Sequence, residues 1–327
     1  MPKISVVIPT YNAERFIVET LQSLLNQDAD FEVLILDDAS HDDTLARVRS
    51  LNDARIRIFS LEHNQGRASN ANRGFNLCRG EYIARIDHDD IAEPGRLRKQ
   101  AEYLDAHPHV TVLGTQIRHF GEDSTVSNFP LEDGEIKARF MIGAAYLANP
   151  SVMFRRAFIQ RFEIRYDPNL HIVDDLGFWF DCMLHGARFA NLAEPLTAYR
   201  IHREMTSLNL DVVKLYEAKK RLFMRIFSTF FPRLTGHDVQ RLCTLHDWPL
   251  KPEAELDTLI DAYRAGGVAL SQIDTRYGVS ALELEYRMVD MLDRKWRASA
   301  QTYPRSEEDK FRCHRAIAEA MSQLKHA

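Results

Sequence analysis

The feature that most constrains this chain is an alternation. Through the first ~120 residues, short apolar runs take turns with helix-spaced apolar residues, the pattern of βαβ units around a parallel sheet. Ile4–Ile8 is an almost unbroken apolar run stopped by Pro9, as expected of a strand covered on both faces. Ile17, Leu21, Leu24 and Leu25 then repeat at helical spacing, with Asn12 as the expected cap. Val33–Leu36 is the second strand, ending at Asp37-Asp38, and Ser40-His41-Asp42-Asp43 reads as a capping box for the next helix. Arg55–Leu61 alternates like a strand, Asn64-Gln65-Gly66 is a turn, and Ala68, Ala71, Phe75 and Cys78 share one helical face. Glu81–Ile86 is a fourth strand, closed by Asp87-His88-Asp89-Asp90. Pro94 opens a helix carrying Leu97, Ala101 and Leu104, and Val110–Ile117 is a further strand.

Beyond Leu208 the texture becomes helical, so the expected division is an α/β domain over residues 1–207 and a helical C-terminal region over 208–327. That region carries Arg221, Arg225, Arg233 and Arg241 among Phe223, Phe227, Phe230 and Phe231. Such a pattern suits an ordinary packed subdomain, a homodimer contact, a cover for an acceptor, or a peripheral contact with an anionic membrane. With 42 Lys and Arg against 47 Asp and Glu, the net charge of −5 argues against a dedicated nucleic-acid binder. The four cysteines form no C-x-x-C, so neither a disulfide framework nor a structural zinc is expected. No apolar run approaches ~18 residues, and the N-terminal run is too short for a signal peptide. The expected location is cytoplasmic, with room for contact at the inner face of a membrane.

The chemistry concentrates at the strand ends. In an open parallel sheet, ligands bind beyond the carboxyl ends of the strands. Three of the first four strands end there in Thr10-Tyr11-Asn12, Asp37-Asp38 and Asp87-His88-Asp89-Asp90. Alone, each is an ordinary turn or cap; together, in sequence order, they gather like charges whose repulsion a divalent cation with hard oxygen ligands would relieve. There is no G-x-x-x-x-G-K-[ST], and the turn after the first strand lacks glycine, which disfavours a dinucleotide site.

These residues resemble glycosyltransferase family two, inverting enzymes of GT-A fold. The resemblance runs from Ile4–Asn12 and Leu21–Gln27 through Leu36–Ser40, Asn64–Gly66 and Arg79–Ala84 to Asp87–Asp90. It continues at Asn149–Arg156 and Tyr199–His202, covering about residues 3–207. It implies a Rossmann-like, mostly parallel sheet flanked by helices, with the C-terminal helices as a subdomain. It implies that Pro9, Thr10, Tyr11, Asn12 and Asp38, with Asp37 beside them, contact a nucleotide base and ribose. Asp87-His88-Asp89 stands where the family has D-x-D, so Asp87 and His88 would lie towards the donor and Asp89 would hold Mn²⁺ or Mg²⁺ on its diphosphate. Asp174-Asp175 stands where many members have Glu-Asp, which makes Asp175 the implied catalytic base, and His202 matches a histidine that touches metal or diphosphate in some relatives. The chain departs from the family at Asn70-Ala71-Asn72, where Ala-Arg-Asn is frequent, leaving Arg67 or Arg73 to take over a donor contact.

The implied reaction moves a sugar from a nucleotide-diphosphate donor, a UDP-sugar foremost, to a saccharide or lipid-linked acceptor hydroxyl in surface-polysaccharide or glycolipid assembly. The Gln-x-x-Arg-Trp motif of processive synthases is missing, which favours transfer of a single sugar. Two alternatives stay open at this point: a nucleotidyltransferase that makes sugar nucleotides, and a non-catalytic sugar-nucleotide-binding protein.

Overall fold

The structure, a computed structural model, describes residues 1–144, 146–203, 211–243, 256–273, 276–302 and 306–325. The chain divides into two compact units, Met1–Ile136 with Tyr146–Asn209, and Lys137–Ala145 with Leu210–Ala327. The boundary expected at 207/208 lies outside the described residues.

The first unit is built on one eight-stranded sheet in the order β3-β2-β1-β4-β7-β6-β8-β5. Its strands are β1 (Ile4–Thr10), β2 (Phe31–Asp37), β3 (Ile56–Ser60), β4 (Tyr82–Arg85), β5 (Ile91–Ala92), β6 (Val112–Gly121), β7 (Met153–Arg155) and β8 (Phe189–Ile201). Its helices are α1 (Ile17–Leu25), α2 (Thr44–Ser50), α3 (Arg67–Leu77), α4 (Arg96–Ala106), α6 (Arg156–Arg161) and α7 (Asp174–Leu184), while α5 (Asp133–Met141) is divided between the two units at Ile136/Lys137. β1 to β4 are parallel; β7 then runs antiparallel to both β4 and β6, β6 pairs parallel with β8, and β8 antiparallel with β5. The sheet is Rossmann-like: its parallel half, β3-β2-β1-β4, is made of the first four expected strands, whereas the fifth, expected at Val110–Ile117, is β6 and belongs to the mixed half.

All seven residues of β1 and of β2 are buried, because helices cover both faces. Strand alternation sorts them: Ile4, Val6 and Ile8 join Val33 and Ile35 in a core with Ile17, Leu21 and Leu24 of α1 and Leu97 and Leu104 of α4. Val7 and Leu36 meet α3 on the opposite face, close enough that a Cβ on Gly74 would overlap the Leu36 side chain at 2.3 Å. Further along, Phe75, Phe154, Phe178 and Trp179 form an aromatic cluster that seats α7, and Trp179 is wholly buried.

Two expected caps are absent. α1 has no side-chain cap, and Asn12, at φ +47°, instead accepts the His41 N–H (3.0 Å) and donates its own N–H to Ser40 Oγ (2.9 Å). Ser40 is thus spent on the β1 turn, and Asp42 satisfies the start of α2 through Thr44 N–H (3.0 Å). A tertiary partner outcompetes the local box in both places. Arg155 and Arg156 stitch neighbouring loops: Arg155 donates to the carbonyls of Val110 and Leu104, and Arg156 to that of Gly80.

The second unit contains α8 (Val212–Phe230), α9 (Gly236–Cys243), α10 (Leu256–Leu270), α11 (Ala281–Thr302) and α12 (Glu307–Lys325). Asp211 caps α8 through the N–H groups of Val213 and Lys214. Phe223, Phe227, Phe230 and Phe231 are all buried in its core, the packed-subdomain alternative for those rings. Among the described residues no helix is long and apolar enough to cross a membrane.

Candidate active site

Strand register brings the acidic turns together. Thr10 pairs with Asp37 and Val7 with Arg85, so the chain leaves β1, β2 and β4 side by side at one sheet edge. There the first unit encloses a cavity of about 570 Å³, within the ~300–1,000 Å³ common to ligand sites. Pro9, Thr10, Tyr11 and Asp38 line it from β1 and β2; Arg67, Asp87, His88 and Asp89 line it from α3 and the turn after β4. Asp175 of α7 lines it too, from more than 80 residues further along the chain. Asn12 and Asp37 stand outside the lining. Asn12 ties the loop after β2, and buried Asp37 faces the Ser40 N–H at 3.3 Å, so both shape the edge.

Asp38 has a double duty that spacing alone did not reveal. Its two carboxylate oxygens accept the N–H groups of Gln65 (2.8 Å) and Gly66 (2.9 Å), fixing the turn that opens α3. Gly66 sits at φ +86°, a conformation that glycine enters without strain. The turn delivers Arg67, whose guanidinium bonds Asp174.

Behind the rim lie two cations, Arg85 and Arg200, to which the sequence alone attached no role. Arg85, 1% exposed, reaches Asp87 at 3.5 Å and lies over the Tyr166 ring. Arg200 donates its backbone N–H to the Asp90 carboxylate (2.9 Å) and its Nε–H to the Asp89 carbonyl (2.8 Å). Its guanidinium is sandwiched by Phe16 and Phe120, so the turn bearing Asp89 is held from behind by a rigid clamp. A signal for Arg85 was present: a cation inside the apolar run Tyr82–Ile86 must be buried, and a buried cation needs a carboxylate. Arg200 had none, because its partners come from the turn after β4, the residue before α1, and β6.

His202 sits just outside the lining and places Nε2 2.9 Å from Asp89 Oδ2. Its Nδ1 is buried with no hydrogen-bond partner among the described residues. Asp89 and His202 bring one hard oxygen and one imidazole nitrogen together at the cavity edge, a donor pair that would suit a divalent cation. Among the described residues no three His, Cys, Asp or Glu side chains converge as a protein-only cage. A cation held by one or two side chains and completed by ligand phosphates needs none.

Asp174 and Asp175 occupy the first turn of α7, where the helix dipole favours negative charge. Asp174 is buried and bonded to Arg67; burial raises its pKa, and Arg67 and Arg85 partly offset this. Asp175 accepts the Leu176 N–H at 2.7 Å, and its pKa is pushed up to about 6, first by burial and then by the charge of Asp174, with Arg67 pulling the other way. Burial would lower the Arg67 pKa, but Asp174, Asp87 and Asp175 together raise it, so this arginine is firmly cationic. Near pH 7 Asp175 is mostly ionised and a stronger base than an ordinary aspartate, which suits it to receive a proton.

The far wall differs in kind. It is made by Ile117 and His119 of β6, Tyr199 of β8, and the segments contributing Leu147, Asn149 and Ile172. Sequence reading assigned His119 no role and used Tyr199 only as part of a motif, since neither belongs to an acidic strand end.

A mixed, helix-covered sheet with an acid-rimmed cavity at the carboxyl ends of its parallel strands is the arrangement that the resemblance to GT-A glycosyltransferases implies. The comparisons agree on the family. The family described as Glycosyl transferase family 2 matches residues 5–163. An uncharacterized glycosyltransferase of Haemophilus influenzae is 30% identical over 252 residues, which cover 73% of this chain and 77% of the relative. The succinoglycan biosynthesis protein ExoO of Rhizobium meliloti is 28% identical, covering 70% of each chain. Staphylococcus aureus TarS 1–349 in complex with UDP-GlcNAc superposes with a TM-score of 0.63 at 19% identity, covering 98% of this chain and 92% of that one. The mannosyltransferase PcManGT of Pyrobaculum calidifontis in complex with GDP-Man and Mn²⁺ gives 0.55 at 16% identity, covering 98% and 87%. This chain belongs to glycosyltransferase family 2. It is a glycosyltransferase, and the nucleotidyltransferase and non-catalytic alternatives fall away.

Proposed function

We propose that this protein is a metal-dependent, inverting glycosyltransferase that moves one sugar from a UDP-sugar to an acceptor hydroxyl in surface-polysaccharide or glycolipid assembly. The observation that carries the reading is the meeting of Asp38, Asp87, Asp89 and Asp175 around one cavity. The UDP-GlcNAc of TarS and the succinoglycan role of ExoO support the donor and pathway classes. The catalytic domain in this reading is residues 1–207, with 208–327 as a helical appendage.

Each residue has a task. Pro9, Thr10 and Tyr11 border the nucleoside, with Asp38 holding the turn beside it and Asn12 and Asp37 keeping that edge in shape. Asp87 and His88 face the donor, and Arg85 steadies Asp87. Asp89 and His202 would hold Mn²⁺ or Mg²⁺, which supplies positive charge to the departing diphosphate, a Lewis-acid contribution of several kcal/mol. Arg67, anchored on Asp174, adds a fixed positive charge at the same cavity.

Asp175 receives the proton of the acceptor hydroxyl as its oxygen attacks the anomeric carbon. Transfer is late, since a carboxylate with a pKa near 6 does not deprotonate a free alcohol. One base and one displacement invert the anomeric centre. Supplying the base from α7 rather than from the Asp89–His202 pair preserves its basicity, because a carboxylate bound to a cation would lose it. Asp175→Asn is expected to lower sugar transfer ~10²–10⁴-fold while UDP affinity, followed by calorimetry, stays within a few-fold. Full transfer activity in that variant would refute the assignment of the base.

A further inference from the structure

We propose, building on the reading of this cavity as the sugar-transfer site, that its far wall is the acceptor subsite and that the acceptor group it takes is an uncharged pyranose. Its C–H face lies on the Tyr199 ring, and one of its hydroxyls donates to Nε2 of His119.

The geometry points there through three independent features. The first is rigidity. His119 and Tyr199 are register partners on the parallel pair β6 and β8, and their rings meet edge to face at 5.7 Å and 87°. Ile117, two residues earlier, shares their strand face and lines the same cavity. An aromatic face with its negative quadrupole is a natural seat for the polarised C–H groups of a sugar ring.

The second is the tautomer of His119. Thr125 Oγ1 donates its proton to Asp123 Oδ2 at 2.9 Å, so it can only accept from the histidine ring, whose Nδ1 lies 2.8 Å away. Nδ1 therefore carries the hydrogen, and in the neutral ring Nε2 of this cavity-lining histidine is left as an acceptor. A sugar hydroxyl can donate to that lone pair.

The third is charge. Among the described residues this wall carries no Lys, Arg, Asp or Glu, while Asp38, Asp87, Asp89 and Asp175 face the same space against one lining cation, Arg67, which Asp174 pairs. An anionic acceptor would be repelled there with no cation of the wall to receive it.

The test uses the full chain with Mn²⁺ and UDP-GlcNAc, UDP-glucose or GDP-mannose, choosing the donor by its slow hydrolysis without acceptor. Transfer is then measured to neutral p-nitrophenyl glycosides and to poly(ribitol phosphate). The expected result is transfer to neutral glycosides only. His119→Ala and Tyr199→Ala should each raise the acceptor KM about tenfold, the value of one well-made contact. The donor KM should stay within twofold, and His119→Gln and Tyr199→Phe should restore most of the loss. Transfer to poly(ribitol phosphate) in preference to every neutral glycoside would overturn the proposal, as would neutral transfer whose acceptor KM ignores both alanine variants. Donor hydrolysis without transfer to any neutral glycoside would also overturn it while leaving the donor site intact. Neither hydrolysis nor nucleotide binding would instead refute the transfer-site reading itself.

Discussion

The two sides of the cavity are assembled by different means. The side formed by β1, β2 and β4 uses the ends of parallel strands, and each end contributes polar or acidic groups. The side formed by β6 and β8 uses the face of a strand pair, and offers rings and aliphatic groups. Strand ends are where backbone groups lack partners and where carboxylates and a cation can be held. A strand face presents every second side chain to the same space, which suits it to carry a flat, neutral surface. The acidic side matches a diphosphate gripped through a cation; the neutral side matches a sugar.

Substitutions on the two sides should separate cleanly. The largest effect is expected at the tip of the acidic side: Asp89→Ala should cut sugar transfer by about 10³-fold or more and abolish its response to added Mn²⁺, read by initial rates across a metal titration. Arg200→Ala leaves every lining carboxylate in place but removes the clamp on the Asp89 carbonyl, and a loss of about 10–100-fold is expected, typical of groups that orient ligands. An unchanged rate in that variant would mean that the turn holds its shape unaided.

The pH dependence addresses the base. With Asp175 at about 6, log kcat should rise with pH to a plateau, bending near 6. The Arg67 charge favours ionised Asp175, so Arg67→Gln should move the bend to higher pH. A bend that stays put would show that Arg67 does not act on the base. The smallest effect is on stability. The folded pKa of Asp175 lies above the 3.8 of an ordinary aspartate, so its ionised form disfavours the fold. Asp175→Asn should therefore raise stability at pH 8 by about 1–3 kcal/mol. That gain should shrink as pH falls through 6 and vanish near 4, followed by thermal unfolding across pH. Activity lost and stability gained at one residue would mark it as functional strain.

The sequence exposed one side of the cavity far better than the other. Strand ends are local events: Pro9–Asn12, Asp37-Asp38 and Asp87–Asp90 can be read from apolar runs that stop, and register then carried them to one edge. Asp175 was reachable only through the family resemblance, because nothing in α7 alone distinguishes a base from a helix-start carboxylate. His119 and Tyr199 were invisible as a pair, since 80 residues separate them and only the parallel pairing of β6 with β8 makes them neighbours. Similar reasons explain the misread caps. Asn12 and Ser40 had suitable partners nearby in sequence and chose each other's loops instead, 28 residues apart.

The central claim is that acidic groups from separate strands converge around a cation that holds the donor's diphosphate. Calorimetric titration of UDP, with GDP as the second nucleotide, into the wild-type protein and Asp89→Ala, each with Mn²⁺ and with chelator, tests it most directly. The account predicts that Mn²⁺ tightens nucleotide binding at least about tenfold in the wild type, a 1.4 kcal/mol effect, and that the gain is lost in the variant. Equal affinity in Mn²⁺ and in chelator, or a metal effect that survives without Asp89, would contradict it.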